Sequence, residues 1–317
     1  MSPVDELKAI AEEPKTLTLS FKNVLLATDF SAISDSAVPY ATAICRRFGG
    51  TLHTAHILSD TAVIMMTGGV DYVSMATLYD DAIAEANDKV RQIADGFEGI
   101  PHREYVRQGP IWKNLAAIVE ESSIDLIILG THGRTGLGKL LLGSVAEDIL
   151  RHAPCPVLTI GPKVSTRDRF PGFRSQGTDV APRELEVKQI VFGTNFAQNA
   201  ALVAQTAVSL ADEFHARLTM VHVMEDYTQL GTQPGPIEDS VRRMHDLIPI
   251  DACLQYLPET MVEFGSPHER ILKVAADRDA DLIVIGTRSE IGTTHLPWTT
   301  THQVIAHAQC PVLTVRT

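Results

Sequence analysis

The chain reads as an open α/β fold built twice, each copy around a parallel sheet. Three observations predict this. Short continuous apolar runs, Val24-Leu25-Leu26-Ala27 and Leu126-Ile127-Ile128-Leu129 among them, are what strands buried on both faces show. They alternate with stretches whose apolar residues recur at helical spacing, such as Ala37, Tyr40, Ala41, Ile44 and Phe48. The whole pattern then returns in the second half of the chain.

In order, residues 1 to 20 form a preamble in which Val4, Leu7, Ile10 and Ala11 share one helical face, with a loose tail as the alternative. The first strand ends in the polar turn Thr28-Asp29-Phe30, and Ser31 or Ser34 caps the helix that follows. Pro39 falls early in that helix or kinks it, and Gly49-Gly50 closes it. Leu52 to Leu58 is a second strand. Residues 59 to 83, with Met65-Met66 and Gly68-Gly69, lack a clear period and read as a long connection. A helix to about Phe97 and a strand around Arg103 to Val106 come next. Gly109-Pro110 starts a helix through Val119, Asp125 opens a buried strand, Val145 to His152 is helical, and Pro156 to Ile160 is the final strand. Gly161 to about Glu186, rich in Pro, Gly, Arg and Asp, is a linker.

The second copy is colinear with the first. The offset is 166 from Asp29 to Asn195 and from His56 to His222, 156 from Gly109 to Gly265 and from Gly130 to Gly286, and 155 from Cys155 to Cys310. The missing residues therefore come out of the unpatterned connection, and one out of the glycine loop. The expected division is a tail over 1–20, a first domain over 21–162, a linker over 163–186 and a second domain over 187–317, in keeping with a length of 317 residues.

Composition narrows the function classes. A hydrophobic fraction of 44% with 21% charged residues suits a soluble globular protein. A net charge of −12 argues against nucleic acid or an anionic membrane as the main partner. Four scattered cysteines give neither a disulfide framework nor C-x-x-C. The acidic start lacks the apolar core of a signal peptide and no apolar run is long enough to span a membrane, so the expected compartment is the cytoplasm.

The chemistry is carried by Gly130 to Ser144, G-T-H-G-R-T-G-L-G-K-L-L-L-G-S, lying between a buried strand and a helix. Open sheets bind ligands at such places, where backbone N–H groups and the helix dipole favour an anion. The loop is no Walker sequence, and a strict G-x-G-x-x-G is absent. Gly130, two residues, Gly133, nine residues, then Gly143-Ser144 resembles the ATP-binding signature of the universal stress protein family. T-D-F-S at Thr28 to Ser31, His56-Ile57, D-L-I-I-L-G-T-H-G-R at Asp125 to Arg134 and C-P-V-L-T at Cys155 to Thr159 extend the resemblance over both halves.

That resemblance implies a five-stranded parallel sheet in each half with helices on both faces, of the Rossmann-like, adenine nucleotide alpha hydrolase-like kind. It implies ATP or another adenine nucleotide as ligand, with or without Mg²⁺. It also implies pairing of the last strands, Cys155 to Ile160 with Cys310 to Val315, as an intramolecular pseudo-dimer; a further homodimer is left open. By position, Asp29 and the backbone near Ile57 meet the nucleoside. Gly130, His132 and Gly133 line the ribose and α-phosphate path. Gly143, Ser144 and Val145 hold the outer phosphates. Arg134 and Lys139 either add charge or stand in a solvated loop, and Asp29 is either a ligand or a turn carboxylate. The second copy departs from this pattern. Asn195 replaces the aspartate, Ser289 the second glycine, and Trp298-Thr299 or Thr299-Thr300 stands for Gly143-Ser144, after Pro297. It is expected to bind nucleotide weakly or not at all.

The 12 histidines show no zinc spacing, and Cys155 and Cys310 open apolar strands as small hydrophobes rather than nucleophiles. No catalytic set stands out. The expected protein is a nucleotide-binding regulatory or stress protein rather than an enzyme. A weak ATPase of the same fold and a nucleotide-free interaction scaffold are the alternatives.

Overall fold

The computed structural model describes residues 19–59, 72–131, 142–165, 185–198, 200–225, 235–287 and 300–316. In the first half β1 (Asn23–Ala27), α1 (Ala32–Asp35), α2 (Val38–Phe48), β2 (Thr51–Leu58), α3 (Tyr72–Ala94), β3 (His102–Gln108), α4 (Ile111–Glu121), β4 (Leu126–Gly130), α5 (Ser144–His152) and β5 (Val157–Ile160) follow in order. The second half gives β6 (Gln189–Thr194), α6 (Ala200–Phe214), β7 (Arg217–Met224), α7 (Pro236–Asp246), β8 (Glu259–Phe264), α8 (Pro267–Asp277), β9 (Leu282–Thr287), α9 (Thr300–His307) and β10 (Val312–Arg316).

All ten strands form one sheet in the order β3-β2-β1-β4-β5-β10-β9-β6-β7-β8. Every neighbour pair is parallel except β5 and β10, which run antiparallel. Leu158 pairs with Leu313, Thr159 with Val312 and Val157 with Thr314. At the offset of 155 Leu158 and Leu313 are equivalent and the other two pairs exchange with each other, so a pseudo-two-fold axis passes at Leu158 and Leu313. The Thr159 hydroxyl donates to the Val312 carbonyl at 3.0 Å and the Thr314 hydroxyl to the Val157 carbonyl at 3.2 Å, a symmetric pair of extra bonds. The expected pairing of last strands is thus present within one chain, and it covers two apolar edges.

Strand alternation sorts the core onto two faces. Val24, Leu26, Leu126 and Ile128 pack with α2, α3, α6 and α7 on one face. Leu25, Ile127 and Leu129 pack with α4, α5, α8 and α9 on the other. Leu25, Leu26 and Ile128 have no exposed surface, and each such side chain contributes about 2 to 3 kcal/mol by leaving water.

Two expectations are corrected. The helix read from Ser31 to Phe48 is two helices, because Pro39 occupies the first turn of α2 and α1 ends at Asp35. The connection read to residue 83 is shorter, since the α3 backbone is already helical at Tyr72. The chain is packed on both sides of the linker's interior. Val164 and Val187 are buried, and Gly161 lies so close to α9 that a Cβ would stand 2.9 Å from the Ile305 carbonyl oxygen. The apolar face of the preamble and the linker's interior lie outside the described residues. No described helix is long and apolar enough to cross a membrane.

Candidate functional site

In each half the chain winds one way from the first strand and the other way from the fourth, so β1 and β4 flank a switch point, as do β6 and β9. The carboxyl ends of such strands splay their loops apart and leave a crevice. Because β5 and β10 are antiparallel, the two crevices open at opposite ends of the sheet.

The β1 side of the first crevice is a hydrogen-bonded turn. Thr28 N–H donates to the Ala55 carbonyl at 2.9 Å, which ends the β1–β2 ladder. The Ser31 N–H donates to Asp29 Oδ1 at 3.0 Å, and Ser31 in turn caps α1 by accepting from Ser34 N–H. The buried Ser34 hydroxyl bonds the Thr28 hydroxyl at 2.6 Å and accepts from the Asp29 amide. Asp29 is therefore a turn carboxylate, half-buried at the crevice, and its charge reaches Asp35. Burial first, and the Asp29 charge second, push the Asp35 carboxyl above its usual range.

Phe30 adopts a left-handed backbone, φ 62°, which bulky residues rarely do. Its ring lies 4.2 Å from that of His56, and Lys89 Nζ stands 5.6 Å over it. His56 Nδ1–H donates to the Thr28 carbonyl at 2.8 Å, which locks the tautomer and ties β2 to the turn. Sequence reasoning named His56 but missed Phe30. The available signal was that T-D-F and T-N-F, each matched to a β2 histidine, occur in both copies. Ile57 follows His56, 8% exposed. Ladder alternation turns its amide and carbonyl to the same side as those of Ala55, past the last β1–β2 bond.

On the β4 side, Gly130 is required for a reason the sequence did not give. A Cβ there would stand 2.8 Å from the Ile33 carbonyl carbon and oxygen and from Ser34 N. The backbone that approaches Gly130 is that of α1. The loop after it is tied at its mouth, Thr131 N–H to the Ile160 carbonyl at 3.1 Å and Gly143 N–H to the Thr131 carbonyl at 2.9 Å. This corrects one expectation, because the Gly143 amide is already committed and Gly143 serves instead as the N-cap of α5. Ser144 and Val145 open the helix, and their amides have no acceptor among the described residues. The structure thus brings Asp29, Ile57, Gly130, Gly143, Ser144 and Val145 to one end of the first-half sheet. His132, Gly133, Arg134 and Lys139 lie outside the described residues.

The second half repeats the turn and changes its contents. Asn195 Oδ1 accepts from Ala197 N–H at 3.0 Å, Phe196 has φ 54°, and His222 Nδ1 bonds the Thr194 carbonyl at 2.9 Å. The Phe196 ring is 4.4 Å from His222, and the Arg243 guanidinium stands 4.0 Å over it. Among the described residues no helix matching α1 precedes α6, and Gly286 faces Val203 instead. Ser289, Pro297, Trp298 and Thr299 lie outside the described residues; Thr300 begins α9. Among the described residues no three His, Cys, Asp or Glu side chains are grouped to hold a metal. Burial pushes the Cys45 and Cys155 thiols up to about 12, so both keep their protons near neutral pH.

A sheet of this order, with its crevice at the switch point and a helix opening beside it, defines a duplicated Rossmann-like α/β protein. The model of the universal stress protein family matches residues 20–161 and 186–316. The chain belongs to that family, with two copies in tandem. Universal stress protein MJ0531 of Methanocaldococcus jannaschii is 29% identical over 140 residues, 44% of this chain and 82% of that protein. A universal stress protein of Thermus aquaticus is 32% identical over 145 residues, 44% of this chain and 98% of its own. The solved structure of a universal stress protein from Archaeoglobus fulgidus has the same fold, with a TM-score of 0.69 at 20% identity over 93% of this chain and 98% of that one.

Proposed function

We propose that the chain is an adenine-nucleotide-binding universal stress protein, with ATP as the reference ligand, a regulatory role and its working site in the first half. The site comprises Asp29 and the Ile57 backbone toward the nucleoside, Gly130, His132, Gly133 and Arg134 along the loop, and the Gly143-Ser144-Val145 turn toward the phosphates. The observation that carries this reading is the start of α5. The amides of Ser144 and Val145, which have no acceptor among the described residues, stand at a helix N-terminus at the strand ends, where a phosphate finds donors and a favourable dipole. In this reading the protein binds the nucleotide rather than turning it over. We divide the chain at 21–162 and 187–317, and we take the second half as a structural partner with a degenerate crevice, Asn195 standing for Asp29.

The test is the adenine nucleotide released per chain on denaturation, in the wild type and in Ser144→Pro. Proline suits the first helical position, where Gly143 before it is already extended at ψ 147°, and it removes one amide without disturbing α5. About one nucleotide per chain, with affinity lowered about tenfold in Ser144→Pro, is expected for the loss of one charge-assisted bond. Two per chain would assign a site to the second half as well. No nucleotide, even after incubation with ATP, would make the protein a scaffold. Metal-dependent release of phosphate would make it an ATPase.

A further inference from the structure

Most of what meets on the pseudo-two-fold axis is alike on both sides. Leu158 faces Leu313, and the rings of Phe48 and Phe214 lie 6.3 Å apart, edge to face. Ile44 and Leu210, and Leu126 and Leu282, line an apolar cavity of about 40 Å³ beside them. Each is a pair of equivalent positions at the offsets 166, 156 or 155. Contacts of this kind favour like halves as much as unlike ones, so they do not select a partner.

The charged equivalents differ, and they differ in a complementary way. Arg47 and Glu213 are equivalent at the offset 166. Arg47 Nε donates to Glu213 Oε1 at 2.8 Å, and its terminal nitrogen donates to the Glu213 carbonyl. The same guanidinium lies 5.5 Å from the centre of the Phe214 ring. Size follows the same rule at one place, where Phe21 and its equivalent Val187 line the same cavity, large beside small.

We propose that these positions form a partner code, which selects pairing of a first half with a second half over like-with-like pairing between chains. Two first halves would set Arg47 against Arg47 and Phe21 against Phe21. Two second halves would set Glu213 against Glu213. The kind of partner each half fits is therefore the other half. Arg47 and Glu213 are 40% and 36% exposed, so solvent screens the pair and its contribution to the junction is modest.

The intact chain can be made to carry each forbidden contact. Glu213→Arg creates the contact of two first halves, Arg47→Glu that of two second halves, and the double variant restores opposite charges in reversed order. Native-state hydrogen exchange of the β5 and β10 amides reads opening of the junction, with β1 amides as the reference for global unfolding. Protection at β5 and β10 is expected to fall about three- to tenfold in each single variant at low salt, to return within about twofold of wild type in the double variant, and to differ little at about 1 M salt. Single variants that match wild type, or a double variant that shows the product of the two single losses, would overturn the code.

Discussion

Asp29 holds a turn of the fold, and in the proposed reading it also faces the nucleoside. One carboxylate oxygen holds the turn through Ser31 N–H. Asn195 keeps the equivalent turn through its amide oxygen, so Asp29→Asn preserves the local structure and removes the negative charge. Wild-type stability with nucleotide affinity lowered about tenfold or more is the expected outcome of a titration by calorimetry. Unchanged affinity would reduce Asp29 to its turn role. His53 carries a different consequence. It is 2% exposed on β2, bonded through Nδ1 to the Tyr105 hydroxyl at 3.3 Å, which meets Ser122 at 2.9 Å. Burial, and then Arg103, lower it from 6.5 to about 4. The unfolded chain binds a proton below about pH 6.5 that the folded chain refuses until about pH 4, so stability falls as pH drops across that window. The loss amounts to roughly 2 to 3 kcal/mol, and a urea-midpoint profile of His53→Gln should be flatter there than that of the wild type.

At the scale of elements, the crevice depends on how α1 docks against the end of β4. The short helix is fixed by its Ser31 cap, and its backbone lies on Gly130 with no room for a methyl group. Gly130→Ala must push Ile33 and Ser34 away, breaking the Thr28–Ser34 hydroxyl pair that holds Asp29. A destabilisation of about 2 kcal/mol or more is expected by thermal unfolding, together with weaker nucleotide binding. Gly286→Ala is expected to be milder, because the neighbour there is the Val203 side chain at 3.1 Å and not backbone. Equal effects at the two glycines would mean that α1 packing does not shape the first crevice.

At the scale of the molecule, the antiparallel β5–β10 contact makes one continuous sheet from two parallel ones and sends the two crevices to opposite ends. Neither half presents its last strand as an open edge. The remaining edges are β3 and β8, and β3 is lined with His102, Arg103, Glu104 and Arg107, charges that discourage further pairing. Fusion in one chain raises the local concentration of the partner half, so in the proposed code the Arg47–Glu213 pair need only choose between partners of nearly equal fit.

What the sequence determined by itself was periodicity and repetition. Apolar runs, helical spacing and five colinear matches give the duplication and most of the strands and helices, because each is written in local order along the chain. The strand after Asp125, the helix after Gly143 and the special place of Gly130 were all legible in this way. What only the tertiary structure decided is which groups are already spent. The Gly143 amide is taken by Thr131, Gly130 is filled by Ile33, and Phe30 is held on His56 by a left-handed turn. Arg47 meets Glu213 across 166 residues of sequence. These depend on contacts between segments far apart in the chain, and side-chain type alone does not say whether a donor faces a ligand or a neighbour.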